Sequence, residues 1–169
     1  MTKYIITGGA GFIGSHLVEK LVGKKKKIVV LDNLSTGRIE NINNFKNKIK
    51  FIRCDISKKG DWIKEIKGDC FIFHLAALAD IVPSIQNPTK YFNSNVTGTL
   101  NLLEACRNAN IKKFIYSASS SCYGVPKKYP TTEKEINNPI YPYAMTKKMG
   151  EDLVMHWGKV YKIPVISLR

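Results

Sequence analysis

Six short, nearly unbroken apolar runs, separated by segments of helical periodicity, constrain this chain more than any other feature. They are KYIIT (3–7), KIVVLD (27–32), IKFIRCD (49–55), DCFIFHLAA (69–77), KKFIYSAS (112–119) and IPVISLR (163–169). A strand wetted on one face alternates apolar with polar residues, whereas a continuous apolar strand needs cover on both faces. The cover comes from FIGSHLVEKLV (12–22), a short helix around Trp62 and Ile66, a long helix from about Pro88 to Asn108, and a helix from Tyr143 to about Tyr161. Such alternation specifies an α/β domain with a doubly wound parallel sheet (a Rossmann fold), and the expected strand order is 3-2-1-4-5-6. With 169 residues, 44% of them hydrophobic, and no repeat, low-complexity stretch or linker, the chain reads as one domain over 1–169.

Between the first strand and the first helix stands TGGAGFIG (7–14). Gly9, Gly11 and Gly14 match G-x-G-x-x-G, while Gly8, Gly11 and Gly14 match a looser G-x-x-G-x-x-G; the sequence leaves both readings open. Glycines here allow a tight turn, close approach of backbone to a pyrophosphate, and close packing of helix on strand. The N–H groups and positive dipole end of the helix then face the phosphates. Asp32 ends the second strand, where a carboxylate accepts hydrogen bonds from adenosine ribose hydroxyls and repels a 2′-phosphate. NAD is therefore expected over NADP, with Arg38 the residue to suspect otherwise.

Composition narrows the classes. No apolar run approaches the roughly 20 residues that span a bilayer, and MTKYIITGGAGFIG lacks the h-region of a signal peptide, so no membrane association is expected. Cys54, Cys70, Cys106 and Cys122 are far apart, with no C-x-x-C pair. That argues against a metal site and a disulfide scaffold, and the expectation is a reduced, cytoplasmic protein. The net charge of +14 is spread over scattered lysines. It reads as solvated surface with a general pull on anionic ligands, and no nucleic-acid partner is expected.

YPYAMTKK (141–148) holds two tyrosines and two lysines. On a helix only Tyr143 and Lys147 have the i, i+4 spacing that makes side chains neighbours. Tyr123 and Lys127 repeat the spacing, but Gly124 and Pro126 between them break any helix. A phenol is a poor base at neutral pH. A neighbouring ammonium and a cationic nicotinamide both favour the phenolate and bring its pKa towards working pH. Tyr143 could then take a proton from a hydroxyl as hydride leaves the same carbon.

TGGAGFIG, LDNLSTG (31–37), CDI (54–56), HLAA (74–77), NVTGT (95–99), SASSSCYG (117–124) and PYAMTK (142–147) follow one another in order. Together they resemble the extended short-chain dehydrogenase/reductase family of NAD-dependent epimerases and dehydratases, and most of all its epimerases acting on UDP-hexoses. The resemblance covers the whole chain. It implies that Ser119, Tyr143 and Lys147 are catalytic, with Ser119 hydrogen-bonding the reacting sugar oxygen and Lys147 also holding the nicotinamide ribose. It implies cofactor contacts from Gly8, Gly11, Phe12, Ile13 and Gly14, from Asp32, Asn33, Leu34, Ser35, Thr36 and Gly37, from Asp55 and Ile56, from Leu75, Ala76 and Ala77, and from Asn95. Ala79 departs from the lysine that the resembling epimerases carry. Ser84 either touches the sugar or starts a helix; Tyr141 is structural or lines the site; His74, on a buried strand, reads as structural.

The resemblance also separates reactions. The 4,6-dehydratases of this superfamily carry Asp-Glu after the Ser/Thr, because eliminating water needs a further acid and base. Here Ser120 and Ser121 stand there, and neither does that work at neutral pH. The expectation is C4 epimerisation of a UDP-hexose through a 4-keto form. Reduction, dehydration or a non-catalytic NAD-binding module are the alternatives. The resemblance further implies a homodimer through helices 88–108 and 143–161, and a C-terminal substrate domain that is expected to be absent from this chain.

Overall fold

The computed structural model describes residues 2–169. Its centre is a six-stranded, all-parallel sheet built from β1 (Lys3–Thr7), β2 (Lys27–Asp32), β3 (Ile49–Arg53), β4 (Asp69–His74), β5 (Asn110–Ser117) and β6 (Val165–Leu168). The strand order is β3-β2-β1-β4-β5-β6, as the alternation predicts. Several strands stop short of the apolar runs that announced them. The tails Cys54–Asp55, Leu75–Ala77 and Ala118–Ser119 leave the sheet and become the loops at its carboxyl edge.

Strands β1 to β4 send alternate side chains into two separate cores, so unbroken apolar runs are what the layering requires there, while β5 and β6 add to the core that holds Ile5. Ile5, Val29, Leu31 and Ile72 pack into one core with Leu102, Phe114 and Val154; Ile6, Ile28 and Val30 pack into the other with Val18, Leu21 and Ile42. The second core lies under α1 (Phe12–Gly23) and α2 (Glu40–Asn43). The first lies under α5 (Gly98–Cys106), α6 (Pro142–Tyr161) and the 3₁₀ turn Asp61–Glu65, whose Trp62 is buried. Ile5 and Ile6 have no solvent exposure, and burying such a side chain is worth about 1.5–3 kcal/mol.

The helix expected over 88–108 runs unbroken from Pro88, at the first position of α4 (Pro88–Phe92), to Cys106 at the end of α5. Two features were not expected, and one is that α3 (Ile81–Gln86) stands before it as a separate short helix. Between α4 and α5 the chain makes a π-helical turn, Asn93–Thr97. Such a turn accommodates one extra residue and rotates everything before it relative to everything after it. Its consequence is that Asn95 points inward.

Candidate active site

The site is assembled at the carboxyl ends of β1 to β5, around the β1/β4 junction where the strand order reverses. Gly8 stands immediately after β1 with φ +70°, a conformation that side chains disfavour. A Cβ there would also lie 2.7 Å from the Ala76 amide nitrogen on the neighbouring strand exit. A Cβ on Gly14 would collide with the Gly8 carbonyl oxygen, so helix and turn meet backbone to backbone. Gly9 instead packs on Val30 in the core. Of the two glycine readings, Gly8, Gly11 and Gly14 is the one that faces the cleft.

Gly11 caps α1 without a side-chain bond and the first turn carries no acidic residue. The opening N–H groups of the helix thus keep their hydrogens for an anion. Asp32 is buried at the end of β2: its Oδ2 accepts the Ala10 N–H at 2.9 Å and its Oδ1 the Leu34 N–H at 2.8 Å. The Ala10 carbonyl in turn accepts from Arg38 N–H (3.1 Å) and Asn41 Nδ2 (2.8 Å). Turn and loop 33–38 are therefore one hydrogen-bonded unit.

The cleft so formed has a volume of about 270 Å³. The glycine side contributes Gly8, Gly11, Phe12, Ile13 and Gly14; the β2 side Asp32, Asn33, Ser35, Thr36 and Gly37; the far wall Asp55, Ile56, Leu75, Ala76 and Ala77. Leu31, Cys54, Ser94 and Ser117 also line it and went unseen in the sequence. Cys54 is held as a thiol, its pKa pushed up to about 11 by burial and then by Asp32 and Asp55.

Three expected contacts are placed otherwise. Leu34 has φ 59°, which turns its side chain onto the core under α1 and α2, so only its backbone serves the loop. Asn95 is buried rather than on the cleft: its amide spans the Leu78 N–H (2.8 Å) and C=O (3.0 Å) and donates to Thr146 Oγ1 (3.0 Å). It clamps the β4 exit loop to α6, and its neighbour Ser94 takes the cleft position. Ser84 is fully buried and donates back to the Ile81 carbonyl at 2.5 Å within the first turn of α3, so its hydroxyl presents no surface to a sugar.

Ser119 lies just past the end of β5, and Tyr143 and Lys147 lie on α6. Ser119 caps the 3₁₀ turn Ser120–Tyr123, its Oγ accepting Ser121 N–H at 3.1 Å and sharing a hydrogen with Ser121 Oγ at 2.6 Å. Tyr143 and Lys147 share a ridge of α6, behind a helix start fixed by Pro142. The Tyr143 ring is parallel to Tyr141 and edge-on to Tyr91, each centroid 6.5 Å away. Lys147 is buried, and burial pushes its pKa down to about 8. Neither residue is on the wall of the glycine cleft. Tyr141 lines a second cleft of about 840 Å³ beyond β5 and β6, with Ser120, Ser121, Glu133 and Arg169.

His74 is structural, as its strand position implies. Nδ1 is 2.7 Å from Thr7 Oγ1 and Nε2 2.8 Å from Thr99 Oγ1. Thr99 donates its own hydrogen to the Asn95 carbonyl at 2.6 Å, so it accepts from Nε2–H, and Nδ1 accepts from Thr7. The ring is neutral, its pKa driven down to about 3 by burial and then by Lys147.

Fold and site together define a doubly wound α/β domain with a glycine-lined cleft at the β1/β4 switch point and Tyr143 and Lys147 paired on α6. The family model described as GDP-mannose 4,6 dehydratase matches residues 5–169. The chain belongs to this family, the NAD-dependent epimerases and dehydratases of the extended short-chain dehydrogenase/reductases. It is 38% identical to the UDP-glucose 4-epimerase of Lactobacillus helveticus over 99% of its own length and 50% of that protein's. Among solved structures it superposes on the UDP-N-acetylglucosamine 4-epimerase of Methanobrevibacter ruminantium, in complex with UDP-N-acetylmuramic acid, with TM-score 0.93 at 38% identity, covering 99% of this chain and 54% of that one. On the UDP-glucose 4-epimerase of Brucella ovis in complex with NAD the TM-score is 0.88 at 34% identity, covering 100% and 51%. The chain spans about half the length of these relatives. Among the described residues no helix is long and apolar enough to cross a membrane, and no three His, Cys, Asp or Glu are placed to share a metal ion.

Proposed function

We propose that this chain binds NAD and carries the proton-transfer residues of a nucleotide-sugar epimerase acting at C4 of a UDP-hexose. The observation that carries the reading is the pairing of Tyr143 and Lys147 on α6 with a hydroxyl, Ser119, followed by serines rather than carboxylic acids. The cleft fits a dinucleotide: Gly8, Gly11 and Gly14 line it with backbone, α1 offers its opening N–H groups, and Asp32 ends β2. NAD, when bound, supplies the acceptor and donor for the hydride that takes the sugar carbon to a ketone and back. Tyr143 takes the proton of the C4 hydroxyl and returns it, and Ser119 hydrogen-bonds the same oxygen. The buried ammonium of Lys147 favours the phenolate form of Tyr143.

Dehydration has no support in the residues, whatever the breadth of the family description. Ser120 and Ser121 cannot supply the acid and base of water elimination. The experiment joins this chain to the part of an epimerase relative that it does not match, then incubates the joined protein with NAD and UDP-galactose. Conversion to UDP-glucose with no change of mass is expected; a product lighter by one water would establish a dehydratase instead. A homodimer through residues 88–108 and α6 belongs to the same reading, supported by Phe92, Met145 and Met149, which stand 45%, 42% and 38% exposed along one groove. Sedimentation of the joined protein as a monomer would remove it.

A further inference from the structure

We propose that Tyr116 is the positioning residue for Lys147: the face of its ring seats the lysine ammonium, and its hydroxyl holds the carbonyl of the same residue. Three independent features carry this. The Lys147 Nζ lies 4.4 Å from the centroid of the Tyr116 ring, inside the roughly 6 Å at which a ring quadrupole attracts a cation. The Tyr116 hydroxyl donates to the Lys147 carbonyl at 3.3 Å, so β5 fixes both ends of one α6 residue. Gly150, one turn along, is what lets the phenol in, because a Cβ there would run into the Tyr116 hydroxyl. Glycine is unfavourable inside a helix, and its presence at this position has that local reason.

The other groups around Lys147 are engaged elsewhere or uncharged. Glu151, one turn after Lys147, is engaged by Arg169 (Nε 2.9 and 3.0 Å, Nη2 2.9 Å) and by Ser167 Oγ (2.6 Å). Asp152 is held by Lys148. Cys122, from the 3₁₀ turn, stays a thiol because burial, then Glu151, raises its pKa. His74, on β4, is neutral, with its ring centroid 5.5 Å from that of Tyr116. Tyr143 lies one turn before Lys147 on the same helix. Among the described residues Lys147 has no carboxylate within ion-pair distance, and a buried ammonium without one gains most from an aromatic face.

The importance of the seat rests on the reading that Lys147 acts beside Tyr143, but the test does not. The ¹³Cε resonance of Lys147, assigned by its loss in Lys147→Met, reports the lysine's pKa directly in the 169-residue chain. Tyr116→Phe keeps the ring and is expected to leave that pKa in place. Tyr116→Leu removes the ring and is expected to lower it by roughly half a unit to a unit and a half. Should the leucine variant not fold, replacing Tyr116 by 3,4,5-trifluorophenylalanine keeps the shape while draining the negative face, and the pKa should fall below that of Tyr116→Phe. A fluorinated ring that titrates with the phenylalanine variant, or a folded leucine variant that titrates with the wild type, overturns the proposal. Failure of the epimerase reading would appear only in turnover and would leave these titrations as they are.

Discussion

The Asp32 carboxylate bonds the Ala10 amide at 2.9 Å, tying the end of β2 to the middle of the glycine turn. Its second oxygen holds the Leu34 amide, so one side chain orders both loops that flank the cleft. Asp32→Ala leaves two N–H groups without partners and is expected to cost about 1–3 kcal/mol of stability, with NAD affinity falling at least about tenfold. Asp32→Asn, which keeps an acceptor oxygen, should fall between. Urea denaturation and NAD titration check both; an alanine variant with unchanged stability would show that the carboxylate orders nothing.

Gly14→Ala places a methyl group against the Gly8 carbonyl and the Gly9 Cα. Helix α1 must move off the turn, so NAD binding should be lost even where the variant still folds. Gly23→Ala, whose Cβ would meet nothing within 4 Å, is the matched control and should bind as the wild type does. Calorimetric titration of the two variants separates a local clash from general sensitivity of α1.

Tyr143→Phe, in the joined protein, should lower hydride transfer by about 10²-fold or more while NAD stays bound, because only the proton acceptor is removed. Tyr141→Phe keeps the stacked ring and should cost little. Equal damage from both substitutions, read by single-turnover absorbance of the reduced nicotinamide, would mean that the catalytic tyrosine is misassigned.

His74 gives the fold an acid-sensitive point. Its folded pKa of about 3 lies below the ordinary 6.5, so the unfolded chain binds more protons and stability falls as pH drops from about 6.5 towards 3. By pH 5 the loss should be about 2 kcal/mol relative to pH 8. His74→Gln should flatten the slope between pH 5 and 8, as urea midpoints would show. An unchanged slope would place the acid sensitivity elsewhere.

The sheet order, the glycine cleft and the Tyr143/Lys147 pair were legible because each rests on a local pattern: unbroken apolar strands, a turn flanked by strand and helix, and i, i+4 spacing. Asn95 and Ser84 were not. The π turn 93–97 has no compositional mark, and by rotating the helix it sends Asn95 inward and leaves Ser94 on the cleft. Ser84 depends on where α3 begins, since a start at Ile81 places the hydroxyl under its own first turn. Leu34 reads as a loop contact until its positive φ is known. Tyr116 looked like one more apolar strand residue; only the crossing of α6 over β5 shows what its ring faces.

Titration of NAD and of NADP onto the 169-residue chain decides whether the glycine cleft is a dinucleotide site. The glycine cradle, the free N–H groups of α1 and the buried Asp32 all lie within this chain, so it should bind NAD without a further domain. On the proposed reading the Asp32 carboxylate receives the adenosine ribose and repels a 2′-phosphate, so NADP should bind at least about tenfold more weakly, a difference of about 1.4 kcal/mol. NADP binding as tight as NAD, or no binding of either, would contradict the account.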